Sequence, residues 1–157
     1  MRSPFDEQPA SATTIAALRL SPGNYEVAWV GDSRIYLWKD GLKQISHDHS
    51  LVQELVAAGT LDPAQAARHP QRNVITQALG ITAVDQLHIG LARGKLEPGM
   101  AFLLCSDGLT EEVSDAVIAG IVERRDLAAQ ECVDHLLLAA LEAGGSDNIT
   151  VILARTN

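Results

Sequence analysis

The sequence is poor in the features that would assign it quickly. It has two cysteines, Cys105 and Cys132, without the paired spacing of a zinc site or a redox motif, and both read as buried thiols. Aromatic residues make up 4% of the chain. Basic residues are scarce: 12 Lys and Arg stand against 20 Asp and Glu, giving a net charge of -8, and Arg124-Arg125 is no more than a pair. A chain so charged repels a polyanion, which argues against nucleic-acid binding. Nothing approaches the roughly 18 consecutive apolar residues of a membrane span. The opening Met1-Arg2-Ser3-Pro4-Phe5-Asp6-Glu7 lacks the apolar segment of a secretory signal, so the expected address is the cytoplasm, away from membranes.

What is present is an ordinary globular composition, 46% hydrophobic over 157 residues, enough for one domain with a real core. Its most informative stretch is Ala101 to Thr110. Phe102, Leu103, Leu104 and Cys105 show no polar alternation, the pattern of a strand covered on both faces, and Ser106-Asp107-Gly108 then supplies turn chemistry. Asp107 is thereby placed where core meets solvent. Alone, it could simply start a turn. Two similar settings give it company: Val30-Gly31-Asp32-Ser33-Arg34 and Gly145-Ser146-Asp147-Asn148-Ile149 set further aspartates beside apolar runs.

Along the chain, residues 1–12 have no period and contain Pro4 and Pro9, and they read as a loose end. Thr13 to Leu20 fits the end of a helix or an extended segment equally well. Ser21-Pro22-Gly23-Asn24 is a turn, and Tyr25 to Val30 with Ile35 to Trp38 reads as an antiparallel hairpin around residues 31–34. Lys39-Asp40-Gly41 turns the chain into Leu42 to Ile45. From Ser46 to Asn73 the spacing predicts two short helices, the first ended by Gly59 and the second opened by Asp62-Pro63. Val74 to Leu79 and Leu87 to Leu91 are strand candidates. Two amphipathic helices follow Asp107: one behind the cap Ser114 with Val113, Val117, Ile118, Ile121 and Val122 on one face, the other near 128–143 with Cys132, Val133, Leu136, Leu137, Ala140 and Leu141. Ile149 to Ala154 reads as the last strand.

Carboxylates at the ends of buried strands are costly unless paired, hydrogen-bonded or bound to a cation. If Asp32, Asp107 and Asp147 converged, their oxygens would suit Mg or Mn rather than zinc. The accompanying chemistry is activation of water and Lewis-acid stabilisation of a phosphoryl group.

Five stretches, Val-Gly-Asp-Ser-Arg at 30–34, His-Asp-His-Ser-Leu-Val-Gln at 47–53, His-Pro-Gln-Arg-Asn-Val-Ile-Thr-Gln-Ala-Leu-Gly at 69–80, Cys-Ser-Asp-Gly-Leu-Thr at 105–110 and Gly-Ser-Asp-Asn-Ile-Thr-Val at 145–151, resemble in order and spacing the bacterial PP2C-type (PPM family) serine/threonine protein phosphatases. The resemblance covers residues 13–157 and implies an α+β fold, an α-β-β-α sandwich of two antiparallel sheets between helical layers. It implies a Mn2+ or Mg2+ centre at one end of the sheets, with Asp107 and Asp147 on one metal and Asp32 on a further, weaker one. Gly31, Arg34, Ser106, Gly108 and Asn148 would surround these ligands, and residues 46–72 would form a mobile flap beside the site. The implied reaction is direct attack of a metal-activated water on phosphoserine or phosphothreonine in proteins, with a cognate kinase as the opposing partner.

The resemblance has a gap. The family's Asp-Gly-x-Gly-Gly turn and its phosphate-binding arginine have no counterpart here, and Ala12-Thr13-Thr14 matches a point well inside the family's domain. The expectation is an N-terminally incomplete fold with an impaired site, completed by a companion chain or serving as a catalytically inactive binding module. Other residues stay open between two readings. His47, His49 and His69 could meet phosphate or serve the fold, Arg34 could bond Asp32 or a loop carbonyl, and Glu111-Glu112 reads as a solvated face.

Overall fold

The computed structural model describes residues 11–157, and the expectations for residues 1–10 lie outside it. Strand β1 (Ile15–Ser21) turns through Pro22-Gly23 into β2 (Asn24–Val30), settling the undecided segment as extended. Gly23 takes φ 78°, the left-handed value that the residue after proline needs in such a turn. Strand β3 (Arg34–Trp38) and β4 (Leu42–Gln44) form a genuine hairpin across Lys39-Asp40-Gly41.

Strands β2 and β3 do not pair, which corrects the expected hairpin around residues 31–34. Strand β2 lies between β1 and β5 (Gly90–Lys95) in a three-stranded sheet, whereas β3 lies in a four-stranded sheet ordered β4-β3-β6-β7, with β6 at Ala101–Cys105 and β7 at Val151–Arg155. The connection changes sheets at Gly31, whose φ of 110° only glycine adopts without strain and whose missing Cβ makes room for the Thr14 side chain.

The two sheets stack, and the alternation of β6 builds two cores at once. Phe102 and Leu104 face Val27, Trp29 and Ile35 between the sheets. Leu103 and Cys105 face the helices, with Tyr36, Ile118 and Leu136. Every residue of β6 is buried for that reason, which accounts for its unbroken apolar run. The helical layer consists of a single turn α3 (Asp107–Thr110), α4 (Asp115–Val122) and α5 (Ala129–Glu142). Ser114 caps α4 by accepting from the Val117 amide. Val117, expected on the buried face, is 48% exposed, whereas Ile118 and Val122 are fully covered.

Between β4 and β5 the chain leaves the sheets. Helix α1 (Leu51–Ala57) is capped by Ser50, and α2 (Pro63–Ala66) is capped by Asp62 with Pro63 in its first turn, as the Asp62-Pro63 pair indicates in the sequence. Val74 to Leu79 does not form a strand; it makes isolated bridges, Ser50 to Ile75 and Thr13 to Leu79. The other strand candidate is displaced: a 3-10 turn occupies Val84–Gln86, and pairing begins at Gly90. The outer face of the three-stranded sheet leaves Ile15 and Leu91 exposed, so the helical layer expected there is not among the described residues.

Candidate metal and phosphoester site

The register of the four-stranded sheet decides where the aspartates lie. Arg34 stands opposite Cys105, and Cys105 opposite Val151. Because β3 and β7 both run antiparallel to β6, the start of β3, the end of β6 and the start of β7 meet at one edge of the molecule. Asp32 precedes β3, Asp107 follows β6 and Asp147 precedes β7. All three therefore emerge at the same end.

Local contacts tighten the arrangement. The Ser106 amide donates to the Thr150 carbonyl at 3.0 Å, and the Thr150 amide donates to the Ser106 hydroxyl at 3.0 Å. A side chain at Gly108 would overlap the Asn148 carbonyl oxygen, so glycine there lets the loop holding Asp147 close onto α3. Asp147 turns its own loop by accepting the Asn148 amide at 2.7 Å. The Ser146 hydroxyl donates to Glu112 at 2.7 Å, a second tie between the two segments.

The electrostatics follow from this crowding. Burial, then the Asp107 charge, raises Asp32 from its ordinary 3.8 to about 6. Burial, then the charge of Asp147, raises Asp107. Glu111 is raised by burial and again by Asp107, with Arg72 opposing. Among the described residues, no lysine or arginine forms an ion pair with Asp32, Asp107 or Asp147. Like charges gathered without a basic partner form a donor set suited in kind to a hard divalent cation. In number the set is sparse: among the described residues, no three His, Cys, Asp or Glu side chains stand close enough together to hold a metal ion.

A cleft of about 680 Å³ opens on this end, and its lining includes Asp32, Asp107 and Glu111 together with Val52, Val56 and Arg72 of the α1–α2 excursion. Asp147 stands just outside that lining, although its neighbour Ser146 belongs to it. Neither His47 nor His69 lines the cleft. The His47 carbonyl accepts from Trp29 Nε1 at 2.8 Å, and His69 Nδ1 accepts the Gln71 amide at 3.0 Å. His49 Nδ1 accepts the Gly31 amide, and burial lowers its pKa. Among the described residues, Arg34 bonds neither Asp32 nor a loop carbonyl; its guanidinium is bidentate to Asp48.

Sequence reasoning missed Asp48, Arg72, Glu111 and Asp115 as cleft residues. Asp48 and Asp115 belong to one hydrogen-bonded group with Arg34 and Tyr36, and nothing in their spacing signals that. Glu111 was detectable in principle, since it sits one turn past Asp107 on the same helical stretch.

No family model matches the chain. Individual relatives do. Protein phosphatase PhpP of Streptococcus pneumoniae is 40% identical over 146 residues, covering 92% of this chain and 58% of its own length. Serine/threonine protein phosphatase PstP of Mycobacterium tuberculosis is 38% identical over 143 residues, covering 90% of this chain and 27% of its own. Among solved structures, the S. agalactiae serine/threonine phosphatase superposes with TM-score 0.85 at 38% identity, covering 93% of this chain and 60% of that one. The catalytic domain of PstP in complex with two manganese ions superposes with TM-score 0.79 at 34% identity. The chain thus spans 58% of the length of the PhpP sequence it matches. Sheet order, the shared end of the three aspartates and these similarities agree: over that part of its relatives' length, the chain belongs to the bacterial PP2C-type serine/threonine phosphatases.

Proposed function

We propose that this chain carries the carboxylate wall of a metal-dependent site that hydrolyses phosphoserine and phosphothreonine in proteins. The observation that carries the reading is the gathering of Asp32, Asp107 and Asp147 at one sheet end, with raised acid pKa values at two of them and, among the described residues, no ion-paired basic side chain to offset the charge. Asp107 and Asp147 would hold one Mn2+ or Mg2+ ion and Asp32 a further, weaker one. A cation so held neutralises phosphoryl charge and lowers the pKa of water.

The rest is the work of the chain's own groups. Ser106 and Gly108 fix the distance between the loops bearing Asp107 and Asp147. Residues 46–72 act as a flap over the cleft and present Arg72 toward the acidic side, which suits an anionic substrate approaching a negative pocket. The substrates are phosphorylated proteins, and a serine/threonine kinase is the natural opposing partner in the cytoplasm. The match spans 58% of the PhpP length, and we place further metal and phosphate ligands on polypeptide outside the match, in the same chain or in a companion.

One observation favours a second reading. The absence of a three-ligand cluster among the described residues suits a phosphatase-like module that binds phosphoprotein or kinase without turnover. Hydrolysis of p-nitrophenyl phosphate and of a phosphothreonine peptide with Mn2+ separates the two. Turnover abolished by Asp107→Asn supports the enzyme. Peptide binding that survives chelator, without turnover, supports the module.

A further inference from the structure

Residues 47–49 sit between β4 and α1, and they are fastened in turn to β2, to β3 and to the connection between those strands. Trp29 Nε1 donates to the His47 carbonyl at 2.8 Å, the Gly31 amide to His49 Nδ1 at 3.0 Å, and the His49 amide to the Gly31 carbonyl at 2.9 Å. Between these contacts lies Asp48. Arg34 Nη2 donates to Asp48 Oδ2 at 2.8 Å, and Arg34 Nε donates to Oδ1 and Oδ2 at 3.1 and 3.2 Å. The side chains are 28% and 13% exposed, well inside the range where an arginine–carboxylate fork outlasts a surface pair.

The pair is the middle of a longer chain of hydrogen bonds. Gln44 Nε2 donates to Asp48 Oδ1 at 3.0 Å and to the Ser46 carbonyl at 2.9 Å. Arg34 Nη1 donates to the Tyr36 hydroxyl at 3.2 Å, and that hydroxyl donates to Asp115 Oδ1 at 2.8 Å, in the first turn of α4. Gln44, Asp48, Arg34 and Asp115 all line the cleft. The series therefore crosses the cleft wall from β4 through the root of the α1–α2 excursion to the helical layer. It leaves Asp48 fully engaged and most of the Arg34 fork occupied, so neither is free to serve as the primary substrate contact.

We propose that Arg34 and Asp48 are positioning residues that set the height of the α1–α2 excursion over the cleft, and hence how wide a phosphorylated polypeptide can be admitted. The consequence for substrates rests on the phosphatase reading; the mechanical role does not. Breaking the fork frees the root of the excursion while leaving both cores intact, because neither residue belongs to either hydrophobic cluster. Lysine cannot reproduce the fork, so Arg34→Lys behaves like a partial break.

The test is hydrogen–deuterium exchange on the chain and on Asp48→Asn, Asp48→Glu and Tyr36→Phe, paired with fluorescence-anisotropy binding of a phosphothreonine peptide and of a free aryl phosphate. In Asp48→Asn, amides of Leu51–Ala57 exchange about tenfold faster while those of Ala101–Cys105 and Ala129–Glu142 keep their rates. Asp48→Glu restores much of the protection. Tyr36→Phe leaves residues 51–57 protected and loosens the first turn of α4. Peptide affinity falls in Asp48→Asn, whereas aryl phosphate affinity holds. Unchanged exchange at 51–57 overturns the proposal, as does acceleration spread evenly through β6 and α5, which marks a purely structural pair. Absence of phosphothreonine peptide binding in the wild-type chain itself leaves the exchange result standing and counts against the phosphatase reading alone.

Discussion

Arg34 stands opposite Cys105 across β3 and β6, and that single register places Asp32 and Asp107 at one end of the sheet. Shifting the pairing by one residue would turn Tyr36 and Leu103 out of the helix-facing core. Burial thus enforces the arrangement of the acidic residues: the core fixes the register, and the register fixes the carboxylates.

The crowding has a measurable pH signature in metal-free protein. Asp32 holds its proton to about 6 in the folded state, against 3.8 in the unfolded chain. Between those values the native state binds more protons, so this group's contribution to stability is full below about pH 4 and is lost as pH rises through about 6. With EDTA present, the thermal midpoint of the wild-type chain declines across that window, and Asp32→Asn flattens the decline. A wild-type midpoint that rises through the same window contradicts the assignment.

Gly108 is where the two acid-bearing loops touch. Gly108→Ala forces a methyl group onto the Asn148 carbonyl and costs about 1–3 kcal/mol by urea denaturation. The substitution also weakens divalent-cation binding, because the Asp147 loop must move away from α3. Full stability in Gly108→Ala would show that the loops are not in contact.

The thiols are inert in the native state. Burial pushes Cys105 up to about 12, and Cys132 lies fully covered beneath the Ile121 and Arg124 carbonyls and the Arg155 guanidinium. Iodoacetamide near neutral pH labels both at least ~100-fold more slowly in native protein than in guanidinium, read by mass spectrometry. Rapid native labelling of Cys105 would mean that β6 is not buried on both faces.

Much of the fold was legible in the sequence where one physical demand dominated. The unbroken Phe102-Leu103-Leu104-Cys105 run indicated a strand covered on both faces, and Asp62-Pro63 and Ser114 marked helix starts by their capping chemistry. The hairpin expected around residues 31–34 failed because a glycine turn with apolar flanks looks the same whether the strands pair or pass into different sheets. Val74 to Leu79 failed because β-branched residues favour extended backbone, yet pairing there depends on Ser50 and Thr13, far off in sequence. Asp32, Asp107 and Asp147 stand beside apolar runs in the sequence, and the register of the sheet brings those runs to one end. Asp48 was hidden: an aspartate before a helix reads as capping or solvated, and only the folded chain brings Arg34 to it.

Isothermal titration of Mn2+ into the chain and into Asp107→Asn probes the proposed cation site without requiring turnover. Saturable binding to the wild-type chain is expected, weakened at least about tenfold in Asp107→Asn, since the Asp107 charge acts on Asp32 and is itself acted on by Asp147. Equal binding by the two proteins, or none by a folded wild-type chain, would contradict it.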